Sequence, residues 1–272
     1  MGRAGIEKKL AVSEGVLGAG MPYLAFGSGR PLVFLRWFTP DHANPTGWLR
    51  SAEIKTMAPL AAHYRVYAVN RAPGMAEGTT MADIATAHAE GMAAEFDGPV
   101  DVLGISSGGS LALQLAADHP AAVRRLVVAS SGHRLEDAAR ISQMKYATAA
   151  AQGKRALHHL ATQGIESPVK ARLVGAASWI LDPFLRPKNP ADTLAFVRAE
   201  DAFDLSGRLG DITAPTLVVG GDRDEYYRVS TFEQTAEGIP GARLIVYPDT
   251  NHLGAIKHPR FAPDVTEFLD AP

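Results

Sequence analysis

A serine hydroxyl becomes a useful nucleophile when a neighbouring base takes its proton and a carboxylate orients that base. Three short stretches of this 272-residue chain offer those parts. Ser106 lies in Gly104-Ile105-Ser106-Ser107-Gly108, Asp222 and Asp224 lie in Gly221-Asp222-Arg223-Asp224, and His252 follows Asn251. The chemistry they suggest is attack on an acyl carbon. In the Gly104-x-Ser106-x-Gly108 turn the serine is forced into strained backbone angles with its hydroxyl pointing away from the chain. The flanking glycines avoid collisions that a Cβ would cause. A helix starting there would set backbone N–H groups and a positive dipole end beside the hydroxyl, ready for an oxyanion. The triplet alone is weak, since a glycine-rich turn with an inert serine has the same spelling; its flanks make it specific.

Those flanks are a strand and a helix. Val100–Ile105 is apolar at four of six positions and reads as a buried strand. From about Gly108 the chain runs through Leu111-Ala112-Leu113-Gln114-Leu115-Ala116-Ala117, apolar almost all round, to Asp118-His119-Pro120. Such a helix lies against a sheet.

The rest of the chain supplies that sheet. Residues 10–13 and 21–26 read as an opening hairpin, and Gly27-Ser28-Gly29-Arg30 as a turn. That turn lacks the Gly-Lys-Ser/Thr of a phosphate loop and precedes a strand rather than a helix. Residues 31–35, 65–70 and 123–129 read as further strands, with helical spacing late in 48–64 and again from 81 to 96. Thr80-x-x-Asp83 spells a capping box for the second of these helices. Alternating strands and helices imply a mainly parallel sheet covered on both faces. The rhythm breaks between about Gly132 and Gly210, where only helical stretches occur (136–152, 154–162, 169–181, 192–205), and this segment reads as an insertion. Residues 215–219, a helix over 230–238, a strand over 243–247 and a helix over 260–269 complete the sheet. In such sheets sites form at the carboxyl ends of the strands, where Ser106, the Asp222/Asp224 loop and His252 all fall.

Composition narrows the class. Apolar residues make up 46% and charged residues 21%, and the formal charge is −2, so neither nucleic acid nor a membrane is expected as partner. The chain has no cysteine, which excludes disulfides, thiolate catalysis and cysteine-bound metals. The first nine residues lack the apolar core of a signal peptide, and Ile6 stands where a myristoylation signal wants Ser or Thr. No apolar run approaches the length of a bilayer span. The expected setting is cytoplasmic, as monomer or homodimer.

Leu103-Gly104-Ile105-Ser106-Ser107-Gly108-Gly109, Pro215 through Asp224, and Asn251-His252 followed by His258-Pro259-x-Phe261 resemble the three signature regions of the α/β-hydrolase superfamily, over nearly the whole chain. The resemblance implies an α/β-hydrolase fold: a mainly parallel eight-stranded sheet flanked by helices, with a helical lid inserted after strand 6. The core would be 1–131 and 211–272, the lid 132–210. It implies Ser106 as nucleophile, His252 as base, and Asp224 rather than Asp222 as the acid. By register, the oxyanion donors would be the N–H groups of Phe38 and Ser107. Here the chain departs from the pattern: Arg36-Trp37-Phe38 stands where the family commonly has His-Gly. Trp37 would brace that loop or wall the pocket, and Arg36 would sit near the rim, holding the loop through a carboxylate or meeting an anionic substrate group.

Other candidates have plainer readings. His88 is expected as a core residue, Asp41-His42 as a solvated loop pair, His158-His159 as an adjacent pair without metal-ligand spacing, and Asp222 as a turn cap. Met144, Tyr146, Trp179, Phe184, Phe196 and Phe203 are expected mostly to pack within the lid. The expected function is hydrolysis of a carboxylic ester of a small, largely apolar substrate through an acyl-enzyme, with no cofactor. Carbon–carbon bond hydrolysis, lactonase, amidase and cofactor-free perhydrolase chemistry share the same triad. A non-catalytic ligand binder is the alternative from another class.

Overall fold

Side chains alternate across each strand, and the strands here are apolar on both faces, so the sheet carries a core on each side. In the computed structural model, which describes Glu7 and residues 9–165 and 167–272, Val33, Leu35 and Val102 join one apolar cluster while Leu32, Phe34 and Leu103 join the other. The readings of a leader or lipid signal fall largely on residues 1–6 and 8, outside the described residues.

The strands are β1 (Ser13–Leu17), β2 (Met21–Gly27), β3 (Arg30–Leu35), β4 (Tyr64–Val69), β5 (Val100–Ile105), β6 (Val123–Ala129), β7 (Thr216–Gly221) and β8 (Arg243–Tyr247). They form one sheet in the order β1-β2-β4-β3-β5-β6-β7-β8. β1 with β2 and β2 with β4 are antiparallel, and every other pair is parallel. The expected mainly parallel eight-stranded sheet is therefore the observed one. Its first strand starts at Ser13 rather than Leu10. Gly18 and Gly20, both at positive φ, make the tight turn that sets this hairpin's register.

Helices α1 (Gly47–Ala61) and α10 (Phe261–Asp270) cover one face; α2 (Met81–Glu95) and α3 (Ser107–Asp118) cover the other. The capping box of α2 forms as spelled. Thr80 Oγ1 accepts from Asp83 N at 3.2 Å, and Asp83 Oδ2 accepts from Thr80 N at 2.8 Å. Asp101, the one charge in β5, is fully buried and takes Arg30 and Arg124 at 2.8 and 2.7 Å.

Between β6 and β7 run α4 (Asp137–Ala151), α5 (His158–Ala161), α6 (Pro168–Leu185) and α7 (Pro190–Asp201). Tyr146, Phe196 and Phe203 are buried as expected. Trp179 and Phe184 are not: they are 50% and 83% exposed. α6 turns Ser178 and Asp182 inward, where Asp182 accepts from Ala156 N and Leu157 N at 2.6 and 2.8 Å, so its apolar stripe faces out. Outside that segment, α8 (Val229–Gly238) follows β7 and α9 (His252–Ala255) follows β8.

Candidate active site

Ser106 joins β5 to α3 with φ 54° and ψ −125°, a conformation that L-residues rarely adopt. The glycines around it have physical causes. A Cβ on Gly104 would stand 2.3 Å from Gly108 O, and one on Gly109 would stand 2.4 Å from Ser131 Cβ. A Cβ on Gly108 would stand 2.0 Å from Leu35 O and 2.6 Å from Arg36 O. The backbone leading into Trp37 and Phe38 therefore lies directly against the first turn of α3.

His252 opens α9, a short helix where the sequence suggested a loop. Asn251 caps it, accepting from Gly254 N at 2.8 Å. Ser130, at the end of β6 and itself at positive φ, donates to His252 O at 2.9 Å and fixes the backbone. His252 Nε2 is 2.9 Å from Ser106 Oγ. On the other side of the ring, Nδ1 is 3.0 and 2.9 Å from Asp224 Oδ1 and Oδ2. Asp224 Oδ1 also accepts from Tyr226 N and Tyr227 N, at 2.8 and 3.0 Å. The three residues picked from sequence thus form one hydrogen-bonded chain. In general, such a chain lets the histidine take a hydroxyl proton while the carboxylate holds its tautomer. Asp222 stands apart and accepts from Thr250 N at 3.1 Å, pinning the β8–α9 loop.

Trp37 takes an ordinary backbone conformation, as its φ is not positive. Its ring packs on Phe34 at 5.3 Å. Phe38 stacks on Phe196 at 6.3 Å and meets Tyr146 edge-on at 5.8 Å. Arg36 is not at the rim: it is 2% exposed, and its guanidinium forks onto Glu53 at 2.8 and 2.9 Å. It also donates to Asn44 Oδ1 at 3.1 Å. A guanidinium can be buried only with such partners, and Glu53 in α1 supplies one. His42 is likewise buried rather than solvated. Its Nδ1–H donates to Ala72 O at 2.9 Å and its Nε2 accepts from Arg71 Nε at 3.1 Å. Burial and the Arg71 charge push its pKa down to about 4. His88 is a core residue, with Nδ1 2.8 Å from Ile84 O.

A cavity of about 290 Å³ is lined by Ser106 and His252 with Trp37, Phe38, Gln143, Leu160 and Tyr226 among others. Larger hollows of about 690 and 610 Å³ have neither Ser106 nor His252 in their walls. Among the described residues no three His, Asp or Glu side chains cluster as metal ligands would. Three neighbours of the site carry no signal of their own in the sequence. Tyr226 sits 4.6 Å from the His252 ring, and its place two residues after Asp224 was the available hint. Gln143 enters from α4. Glu200, from α7, is fully buried and accepts from Ser107 Oγ at 3.0 Å.

The fold and the elbow define a class, and comparison with known proteins agrees. A model of the alpha/beta hydrolase family matches residues 18–264. The chain belongs to that family and is a hydrolase. It is 31% identical over 198 residues to pimeloyl-(acyl-carrier protein) methyl ester esterase of Neisseria meningitidis serogroup B, covering 69% of this chain and 75% of the relative. It is 26% identical to 2-hydroxy-6-oxononadienedioate/2-hydroxy-6-oxononatrienedioate hydrolase of Cupriavidus pinatubonensis, over 62% of each chain. The solved enol-lactonase of Burkholderia xenovorans superposes with TM-score 0.71 at 19% identity, covering 95% of this chain and all (100%) of the other, a likeness of fold.

Proposed function

We propose that the protein is a serine esterase in which Ser106, His252 and Asp224 act as catalytic triad on a carboxylic ester of a small, largely apolar substrate. The observation that carries this reading is the unbroken hydrogen-bonded chain from Asp224 through His252 to Ser106, ending in a small apolar cavity. Ser106 Oγ attacks the ester carbonyl as its proton passes to His252 Nε2. The tetrahedral oxyanion is held by the N–H groups of Ser107 and Phe38. The carbon–oxygen bond to the alcohol breaks, and His252 returns the proton to the leaving alkoxide. Water, deprotonated in turn by His252, attacks the acyl-enzyme and releases the acid and Ser106.

The cavity, at about 290 Å³, lies at the small end of ligand pockets, and Trp37, Phe38, Leu160 and Leu253 make its wall apolar. Residues 132–210 are the lid in this reading, with 1–131 and 211–272 as the core. Gln143, Leu160 and Ala161 in the cavity wall come from that insertion. Trp37 and Phe38 line the substrate pocket. The setting is cytoplasmic, with action as monomer or homodimer. The buried Arg36–Glu53 pair gives the unusual loop a rigid support and argues against a dead pocket.

A fluorophosphonate probe and p-nitrophenyl esters of rising acyl length test the reading. Labelling and turnover should both vanish in Ser106→Ala, and short acyl chains should be preferred. Intact turnover in Ser106→Ala, or an unlabelled wild type, overturns it.

A further inference from the structure

α7 belongs to the insertion, yet it is bonded to the core along its length. Asp192 at its start accepts from Gly74 N and Met75 N, at 2.9 and 2.8 Å. Thr193 Oγ1 donates to Pro40 O at 2.7 Å. One turn apart on the same face, Phe196 and Glu200 then reach the two segments that flank Ser106. The Phe196 ring stacks on Phe38, with 20° between the ring planes. Glu200 Oε2 accepts from the Ser107 hydroxyl at 3.0 Å. Phe38 and Ser107 are the two residues whose N–H groups would bind the oxyanion, so one helix face braces both.

We infer that Phe196 and Glu200 are positioning residues that hold the two halves of the oxyanion hole in register, and that they do so best when Glu200 carries a proton. The inference rests on the Ser106 reading above.

The case for the proton is geometric first. Glu200 is fully buried, and its second oxygen, Oε1, has no hydrogen-bond partner among the described residues. A bare charge there is costly. The groups facing it are Arg71 after β4, Ser107 and Ser110 on α3, His252 on α9, and Tyr227 after β7. Among the described residues Arg71 is the fixed cation facing it, and it is engaged elsewhere. Its guanidinium stands 3.8 Å over the Phe196 ring and donates to His42 Nε2, Thr39 O and Thr39 Oγ1. Burial outweighs Arg71 and the hydroxyls and pushes the Glu200 pKa up to about 7. Ionisation would strengthen the one bond to Ser107 but leave Oε1 a bare buried charge, which favours water entry there and opens the packing of α7 on the elbow. The Phe196 brace on Phe38 would loosen with it.

Misplacing donors lowers turnover more than substrate binding. Loss of one donor outright costs about 10²–10³ in rate, and Glu200→Ala, which removes one brace and neither donor, should lower kcat by at least about tenfold with little change in KM. Glu200→Gln keeps an acceptor for Ser107 but cannot ionise, so it should restore most of that loss. The pH profile separates positioning from mere packing. Wild-type kcat should decline above about pH 7, and Glu200→Gln should lack that decline. An unchanged alkaline limb in Glu200→Gln, or an unchanged kcat in Glu200→Ala, overturns the inference. Ser106→Ala run beside them keeps the two questions apart. Residual turnover there sinks the triad reading and this inference with it, whereas a dead Ser106→Ala with unaltered Glu200 variants sinks this inference alone.

Discussion

Asp224 grips His252 Nδ1 with both carboxylate oxygens, at 3.0 and 2.9 Å, and is itself held by the N–H groups of Tyr226 and Tyr227. The aspartate two residues earlier faces the other way and caps Thr250. Asp224→Asn should lower kcat on a simple ester by about 10⁴, because the amide favours the wrong imidazole tautomer. Asp222→Asn keeps an oxygen for Thr250 N and should cost less than about tenfold, within what one neutral hydrogen bond contributes. Steady-state kinetics on both variants decide it; the reverse order would make Asp222 the acid.

Gly108 touches backbone on the far side of the turn. An added methyl meets Leu35 O and Arg36 O, neither of which can swing away. Gly108→Ala should destabilise by about 3 kcal/mol or more, the upper end of overpacking costs. Gly207, with nothing within 4 Å of its ideal Cβ and no positive φ, is the control. Gly207→Ala should stay within about 0.5 kcal/mol in denaturant unfolding.

The Arg36–Glu53 pair sits beneath the Trp37 loop, with side chains 0% and 3% exposed. Removing one partner strands a buried charge. Glu53→Ala should cost about 3–5 kcal/mol, and Arg36→Met with Glu53→Leu should cost much less. A double-mutant cycle of melting temperatures gives the coupling. Additive losses would show that the pair is not coupled.

Stability should depend on pH in two opposed ways. Burial pushes His42 and His88 down to about 4, so between 6.5 and 4 the unfolded chain binds protons that the native one refuses. Their contribution is present above about 6.5 and lost as pH falls through that window. Glu200 is the reverse: its native pKa of about 7 exceeds the ordinary 4.5, so the native state binds the extra proton. Its contribution is present below 4.5 and lost as pH rises to 7. The melting temperature of Glu200→Gln should therefore rise relative to wild type between pH 5 and 7.5. A constant difference across that range would place the Glu200 titration elsewhere.

What the chain spelled out by itself was local or periodic. The Gly104-x-Ser106-x-Gly108 elbow is legible because its strain and its glycine contacts arise largely within one strand-turn-helix unit. The capping box at Thr80 and Asp83 is legible for the same reason. The alternation of strands and helices announced a covered, mainly parallel sheet. Tertiary structure alone decided which distant groups meet. Trp179 and Phe184 look like core residues, but α6 turns Asp182 inward to accept from Ala156 N and Leu157 N. Arg36 reads as a rim residue with a carboxylate as one possible partner, and only the fold buries it and names Glu53, 17 residues on, as that carboxylate. Glu200 stands 93 residues from Ser107, on a helix whose sequence says nothing about the elbow. Burial of a charge depends on the partner that satisfies it, and that partner is supplied by the packing of the chain rather than by its neighbours in sequence.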